Sequence, residues 1–536
     1  MMNITGIKIN SVLRVCLLIG LTLHTSFTEG YQKKTTPLMQ YSISMPEPSN
    51  HLFHVTLFCS GLKEDTIDFK MPRWMPGYYQ IMDYSNEVRN FAANSIMTRD
   101  VRTIKADKNT WRLIPGKNSS FSISYDVYAD RKFVASNYLD TTHGYIVTAA
   151  TFMYIDGHLD IPVHLNIMPF SGWNDITTGL DRVAGKINEF TAPDFDVLYD
   201  CPILIGKLEK LPSFDINGVV HRFVAYNPGN FNHDVFISSL KKTVKAGIDL
   251  MGDIPYREYT FIGIGPGYGG IEHLNNATVS FDGNGLEKPG AMLSMLQFLG
   301  HEYFHNYNVK RIRPYELGPF EYDRENRTNL LWVSEGLTVY YEYIIVKRAG
   351  LMSDNELMAN IERNINTIEN DDGRRYQSLS QASYETWDDG PFGNSSGGPD
   401  KSISYYDKGP IIGMILDFSI RNATQNRRSL DDVMRFMYWN YYKKLHRGFT
   451  DAEFQQACQD MTGKSLSREF EYVYTTKEID YSTYLSYAGL KLTEQTDSIT
   501  GKRKFTLSRQ DNMSPSQMSI FRSWGGNQMS ILPSQR

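Results

Sequence analysis

His301-Glu302-Tyr303-Phe304-His305 is the stretch on which the reading of the chain turns. It follows Met292-Leu293-Ser294-Met295-Leu296-Gln297-Phe298-Leu299, an apolar run that predicts a buried amphipathic helix. On a helix, spacing i, i+4 sets both imidazoles on one face, a turn apart, so two nitrogens can meet one ion. Glu302 stands beside the first histidine and can reach a water on that ion without ligating it. Two core histidines bonded to their neighbours would show the same spacing, so a third ligand decides. The pattern with a third histidine fails, because Asn308 and Arg311 occupy its glycine and histidine positions. Among downstream carboxylates, Glu316, Glu321 and Glu325 lie with Pro314, Gly318 and Pro319 in an expected loop. Glu335 lies in Leu331-Trp332-Val333-Ser334-Glu335-Gly336-Leu337, an apolar helical stretch where a lone carboxylate is costly to bury. A metal removes that cost. Glu335 is therefore the expected third ligand, and Glu342, seven residues on and on the same face, is the fallback. Two histidines and one carboxylate leave a position for water, which marks a catalytic site for one zinc ion with Glu302 as its base.

Around this motif the composition is that of a globular protein. The chain has 536 residues, 41% hydrophobic and 21% charged, which suits two to four domains. A net charge of -5 carries no nucleic-acid footprint. The one basic knot, Lys310, Arg311 and Arg313, reads as a solvated or salt-bridged helix end. At the N-terminus, Lys8 and Arg14 precede an apolar run from Val15 to Leu23, too short to span a bilayer, so residues 1–28 are expected to be a signal peptide. The expected location is secreted or periplasmic, with no stable membrane insertion after cleavage. Leu13-Arg14-Val15 before Cys16 argues against a lipoprotein. Cys59, Cys201 and Cys458 remain, and allow at most one bridge. Sequons stand at Asn118, Asn276, Asn326, Asn394 and Asn422.

Residues 31–211 alternate apolar and polar side chains, as in Leu52-Phe53-His54-Val55-Thr56-Leu57-Phe58, and are broken by turns such as Pro76-Gly77. They predict an all-β, sandwich-like domain. Beyond residue 211 strands and helices mix: 221–226 and 259–264 read as strands, 234–250 as a helix. Helices are expected at 291–309, 330–349, 353–368, 409–422 and 430–441. The expected divisions are a catalytic α+β domain at 212–350, a helical domain at 351–490 and a polar, weakly ordered tail at 491–536.

The run from His301 to Pro314, with Trp332-Val333-Ser334-Glu335-Gly336-Leu337-Thr338, resembles the glycyl aminopeptidase family of metallopeptidases, family M61. Met71-Pro72-Arg73-Trp74-Met75-Pro76-Gly77-Tyr78, Gln377-Ser378-Leu379 and Asp480-Tyr481-Ser482-Thr483-Tyr484-Leu485 agree with it, so the resemblance spans roughly residues 41–492. It implies a thermolysin-like zinc peptidase domain of the gluzincin type, related to the larger M1 aminopeptidases. It also implies release of N-terminal residues from peptides, small ones such as Gly or Ala in particular. Gly269-Gly270-Ile271-Glu272-His273 is similar to the G-x-M-E-N loop of aminopeptidases, which makes Glu272 the group that binds the substrate's α-amine. Ile271 and His273 depart from that pattern. Tyr405-Tyr406-Asp407-Lys408-Gly409 is similar to Y-x-K-G, which gives Tyr406 the hydrogen bond to the oxyanion, with Tyr405 one residue away as the alternative. Relatives with a C-terminal PDZ domain have more chain than the about 45 residues after Leu490, so no complete PDZ domain is expected.

Gly393-Asn394-Ser395-Ser396-Gly397 matches a nucleophile elbow by letters, but Pro391 before it and Gly398-Pro399 after it make a loop instead. Gly263, Gly265 and Gly267 lack the lysine of a phosphate loop. Two other functions stay open: a zinc endopeptidase in which Glu272 is structural, and a catalytically inert peptide- or glycan-binding protein. The oligomeric state is not legible.

Overall fold

A computed structural model describes residues 38–62, 64–95, 101–115, 120–393, 401–499 and 501–526. The expected signal peptide, Asn118 and Asn394 lie outside them. Among the described residues no helix is long and apolar enough to cross a membrane.

The first half is β-rich. Seven strands form one sheet in the order Asp181–Arg182, Glu189–Ala192, Val163–Met168, Leu38–Ser44, Leu52–Ser60, Phe121–Tyr128 and Val88–Ser95. The alternation read from the sequence explains it: along Phe121–Tyr128 every second side chain is buried. Phe53, Val55, Leu57 and Cys59 of the neighbouring strand enter the same core. Two four-stranded sheets complete this half. Cys59, Cys201 and Cys458 are buried and unbridged.

A six-stranded sheet contains β1 (Val219–Ala225), β2 (Glu258–Gly263), β3 (Gly270–Glu272) and β4 (Asn276–Val279), with β2 parallel to both β1 and β4. β3 is added antiparallel at the edge. The crossover from β1 to β2 is α1 (His233–Met251). Asn232 caps its start by accepting from Val235 N, and Gly252, in left-handed backbone, ends it. The sequence motif lies on α2 (Ala291–Phe304), shorter at its C-terminal end than the predicted 291–309. α3 (Leu337–Arg348), α4 (Asp354–Glu369) and α5 (Tyr405–Ala423) follow, and further helices continue to Tyr487.

The two halves share their cores. Trp74 and Tyr79, from the β-rich half, are buried among the helices, while Ile262, Ile271 and Tyr322 are buried with the first sheet. Trp74 Nε1 also donates to the carbonyl of Glu321 at 2.9 Å. The polar stretch after residue 490 is a correction to the expectation of a weakly ordered tail. Leu490–Thr496 and Arg503–Arg509 form a hairpin, and α6 (Pro515–Trp524) follows. Asn366 of α4 and Asn370, which caps its end, clamp the hairpin backbone at Phe505 and Arg503, and Phe505, Leu507, Ile520, Phe521 and Trp524 are buried. A few well-spaced apolar residues suffice there, which average composition hides.

Candidate active site

α2 carries His301, and His305 as its C-cap, into the interior, where Nε2 of one lies 3.0 Å from Nε2 of the other. Each ring is oriented through its other nitrogen. His305 Nδ1 donates to the carbonyl of Asn308 at 2.8 Å, and His301 Nδ1 to Glu342 Oε2 at 3.0 Å. A carbonyl can only accept, so His305 keeps its proton on Nδ1 and offers the Nε2 lone pair. Glu335 Oε2 lies 3.3 Å from His305 Nε2 and 3.7 Å from His301 Nε2. These donors, all within 4.8 Å of one another, form a group that could hold a metal ion. Glu342, the fallback ligand, instead orients His301.

Glu335 reaches this point from a π turn, Trp332–Gly336, at the head of α3. Such a turn holds one residue more than an α turn and loosens its backbone bonds. Asn308 takes up the carbonyls: its Nδ2 donates to Val333 O at 2.7 Å and Ser334 O at 3.3 Å. One residue thus fixes a ligand on each side, His305 by its backbone and Glu335 through its side chain. Close packing completes the seat. Gly336 meets Gly409 of α5, and a Cβ on Gly409 would lie 2.5 Å from Gly336 Cα. Ser404 caps α5 by accepting from Tyr406 N at 3.1 Å, which fixes the helix start at Tyr405, the first of the tyrosine pair. Tyr406 then points inward and donates to Glu335 Oε2 at 2.9 Å, whereas the hydroxyl of Tyr405 pairs with Thr386 Oγ1 at 3.1 Å. Of the two, Tyr406 reaches the cluster.

Charge is arranged to favour a cation. Burial opposes protonation of His301, but Glu335 and Glu342 outweigh it and push it up to about 10. Burial likewise opposes ionisation of Glu335, yet His305 and His301 hold it well below the usual carboxylate range. The donor set therefore grips positive charge, even as a proton, and it fits zinc in ligand type and number. Glu302 is buried and pushed up to about 7 by desolvation, with Glu272 and Glu335 adding to the effect against His301 and His305. Its carboxyl packs on Gly270, where any Cβ would overlap it. Burial and then Glu335 raise the Tyr406 hydroxyl far above its ordinary value, so it stays a donor.

Glu272 ends β3 with its side chain buried. Its Oε2 would lie 2.8 Å from a Cβ on Gly77, the glycine of Met75-Pro76-Gly77-Tyr78. Beside it, Lys310 Nζ is 4.0 Å from Glu272 Oε1 and 2.7 Å from Asp200 Oδ1. Asp200 also accepts from Leu274 N at 2.6 Å and lies 3.3 Å from His273 Nδ1. Burial raises the Asp200 carboxyl, but Lys310 and His273 overcome this and bring it to about 2. Within the basic knot Lys310 is thus ion-paired and buried, Arg311 is buried and donates to three backbone carbonyls, and Arg313 is half-buried. Sequence reasoning did not find Asp200, since nothing local links it to His273 and Lys310, 73 and 110 positions away. Nor did it find Tyr79, whose hydroxyl burial, Glu335 and Glu272 all raise.

The chain matches the Peptidase M61 N-terminal domain over residues 40–207 and the M61 glycyl aminopeptidase family over residues 294–412. Together these take in more than half of its length. An aminopeptidase N family protein from Idiomarina loihiensis has a similar solved structure, with TM-score 0.80 and 25% identity over 86% of this chain and 80% of that one. An M1 zinc metallopeptidase from Deinococcus radiodurans shares the fold at TM-score 0.52 and 12% identity, over 83% of this chain and 96% of that one. Legionella pneumophila aminopeptidase A, solved with aspartic acid, does so at TM-score 0.50 and 11% identity, over 89% of this chain and 56% of that one. No curated protein matches the chain in sequence.

Proposed function

We propose that this chain, which belongs to the M61 peptidase family, is a secreted zinc-dependent aminopeptidase that removes small residues from the N-termini of peptides. The observation that carries this reading is the convergence of His301, His305 and Glu335 on one point, with Tyr406 bonded to Glu335 beside it. The three ligands would hold one zinc ion, which supplies Lewis acidity: it acidifies water and polarises a carbonyl. The rest falls to the protein's own side chains. Glu302, with a pKa of about 7, takes the proton of the attacking water and passes it to the leaving amine. The Tyr406 hydroxyl donates to the oxyanion as it forms, a bond gained mainly in the transition state. Glu272 accepts from the α-ammonium and so fixes the scissile bond one residue from the chain end. The preference for a small first residue follows the glycyl aminopeptidase family that the chain matches. Export through residues 1–28 and division into domains at 31–211, 212–350 and 351–490 belong to the same proposal.

Hydrolysis of glycyl- and alanyl-anilides, beside the same compounds acetylated at the amine and with or without chelator, tests it. Chelator-sensitive release from the free-amine substrates alone is the expected result. Equal cleavage of acetylated substrates would make the protein an endopeptidase. No cleavage of either, with one zinc bound per chain, would leave a binding protein.

A further inference from the structure

Glu272 is a buried carboxylate to which the fold gives no hydrogen bond. It is 4% exposed, and among the described residues no side chain and no backbone N–H donates to it. Its side chain is turned toward the reacting groups. Gly270 pairs with Val279 and Glu272 with Ala277, so the two share a face of β3, and Gly270 backs onto the carboxyl of Glu302. A carboxylate buried without a donor is costly, and a donor arriving with the ligand removes that cost.

The fold has a donor of its own beside Glu272, and it is held just out of reach. Lys310 Nζ stands 4.0 Å from Glu272 Oε1 but 2.7 Å from Asp200 Oδ1. Bonds between an ammonium and a carboxylate close at about 2.7–2.9 Å, so Lys310 bonds Asp200 and only neighbours Glu272. Asp200 is itself tied in place. Its Oδ2 accepts from Leu274 N at 2.6 Å, and its Oδ1 lies 3.3 Å from His273 Nδ1. The backbone of Lys310 is fixed as well, its N donating to the carbonyl of His305 at 3.1 Å. What can move is the four-carbon stem of the lysine. A shift of Nζ by about 1.2 Å would close a bond to Glu272, and the charge of Asp200 is what opposes it.

We propose that Asp200 is a positioning residue for amine recognition: it holds the Lys310 ammonium off Glu272 and so keeps that carboxylate open to the α-ammonium of a peptide. This rests on the aminopeptidase reading of Glu272. Lys310 and the substrate bring the same chemical group to the same acceptor, one from within the chain and one from solution. A tethered group competes at high effective concentration, so without Asp200 the lysine takes the site.

The test measures kcat and KM for alanyl-anilide with the zinc-loaded full chain and with its Asp200→Asn, Lys310→Met and doubly substituted forms. Asp200→Asn keeps the shape of the side chain and gives up the charge that restrains Lys310. Its KM should rise tenfold to hundredfold, the range set by displacing one charged hydrogen bond, while kcat stays within about threefold. Adding Lys310→Met removes the competitor together with its unpaired charge, and KM should return to within about threefold of the unaltered protein. Lys310→Met alone should lower KM, on the order of threefold, because its charge repels the incoming ammonium. An unchanged KM in Asp200→Asn overturns the proposal, and so does a KM that stays raised in the double form, since Asp200 would then act by shaping the turn at Leu274. If Asp200→Asn alone does not fold, Lys310→Met decides: a lower KM supports the proposal, and an equal or higher one overturns it. Acetyl-alanyl-anilide separates the two layers. If it is cleaved as fast as alanyl-anilide, the aminopeptidase reading falls and this inference with it. Cleavage confined to free amines, with a KM that Asp200→Asn leaves unchanged, overturns this inference alone.

Discussion

Gly409→Ala would add one methyl group where α5 crosses the π turn that carries Glu335. The added carbon would stand 2.5 Å from Gly336 Cα and 3.3 Å from the Trp332 carbonyl oxygen. Carbon atoms at rest keep about 3.5–4.0 Å, and both partners here are backbone, so the two segments must part by roughly 1 Å. Tyr406 is one turn from Gly409, and its 2.9 Å bond to Glu335 would stretch beyond hydrogen-bond range. Overpacking of this kind costs about 1–3 kcal/mol, offset by about 1 kcal/mol for replacing a helical glycine. A net loss of up to roughly 2 kcal/mol is expected, together with a tenfold to hundredfold loss of zinc affinity from the displaced support. Calorimetric unfolding and competition against a chelator of known affinity measure the two. Gly300→Ala is the contrast. Its nearest neighbours are side-chain methyls, Thr243 Cγ2 at 3.3 Å and Val346 Cγ2 at 3.7 Å, which can give way. That variant should keep its zinc and its unfolding temperature. Unchanged zinc affinity and stability in Gly409→Ala would refute the claim that this crossing seats the ligand.

Glu302→Gln should bind zinc as before while kcat falls by a factor of about 10²–10⁴, measured by metal analysis and steady-state kinetics. Asp200→Asn leaves the buried Lys310 with only Glu272, 4.0 Å away, as counter-charge, and denaturant unfolding should show a loss of about 3–5 kcal/mol. Acid should weaken the fold through His143 and His221, each pushed down to about 4 by burial. Below about pH 6.5 the unfolded chain takes up protons that the folded chain refuses. Stability is therefore full above that pH, falls as pH drops and stops falling near pH 4. At pH 5 the loss is about 2 kcal/mol for each residue, and His221→Gln should flatten the measured slope by its share.

Much of the site is legible in the sequence alone. Spacing i, i+4 on an apolar helix is a local property, and the cost of burying a lone carboxylate favours Glu335 while leaving Glu342 as the fallback. The choice between Tyr405 and Tyr406 is not legible there, because it depends on where α5 begins, and the cap at Ser404 sets that. Glu342 shares a face with Glu335 in the sequence pattern, but the loosened turn ahead of α3 brings it to the far side of His301. The Asp200–Lys310 pair joins distant stretches and leaves no local trace. The alternating apolar residues near Phe505 and Leu507 do leave one, which the polar average around them conceals.

The π turn at Trp332–Gly336 has a consequence for how the chain can change in length. A turn with one residue too many behaves as a stored insertion. Deleting one residue of it other than Glu335 would let the helix close in ordinary register and recover its backbone bonds, yet would rotate the chain before the cut by about 100° relative to α3. Glu335 would then swing away from the histidines even though every ligand remained in the sequence. This segment should accept many exchanges of side chain before it accepts one change of count. For the same reason, building the segment that carries Glu335 as an ideal straight helix would aim the carboxylate away from the histidines.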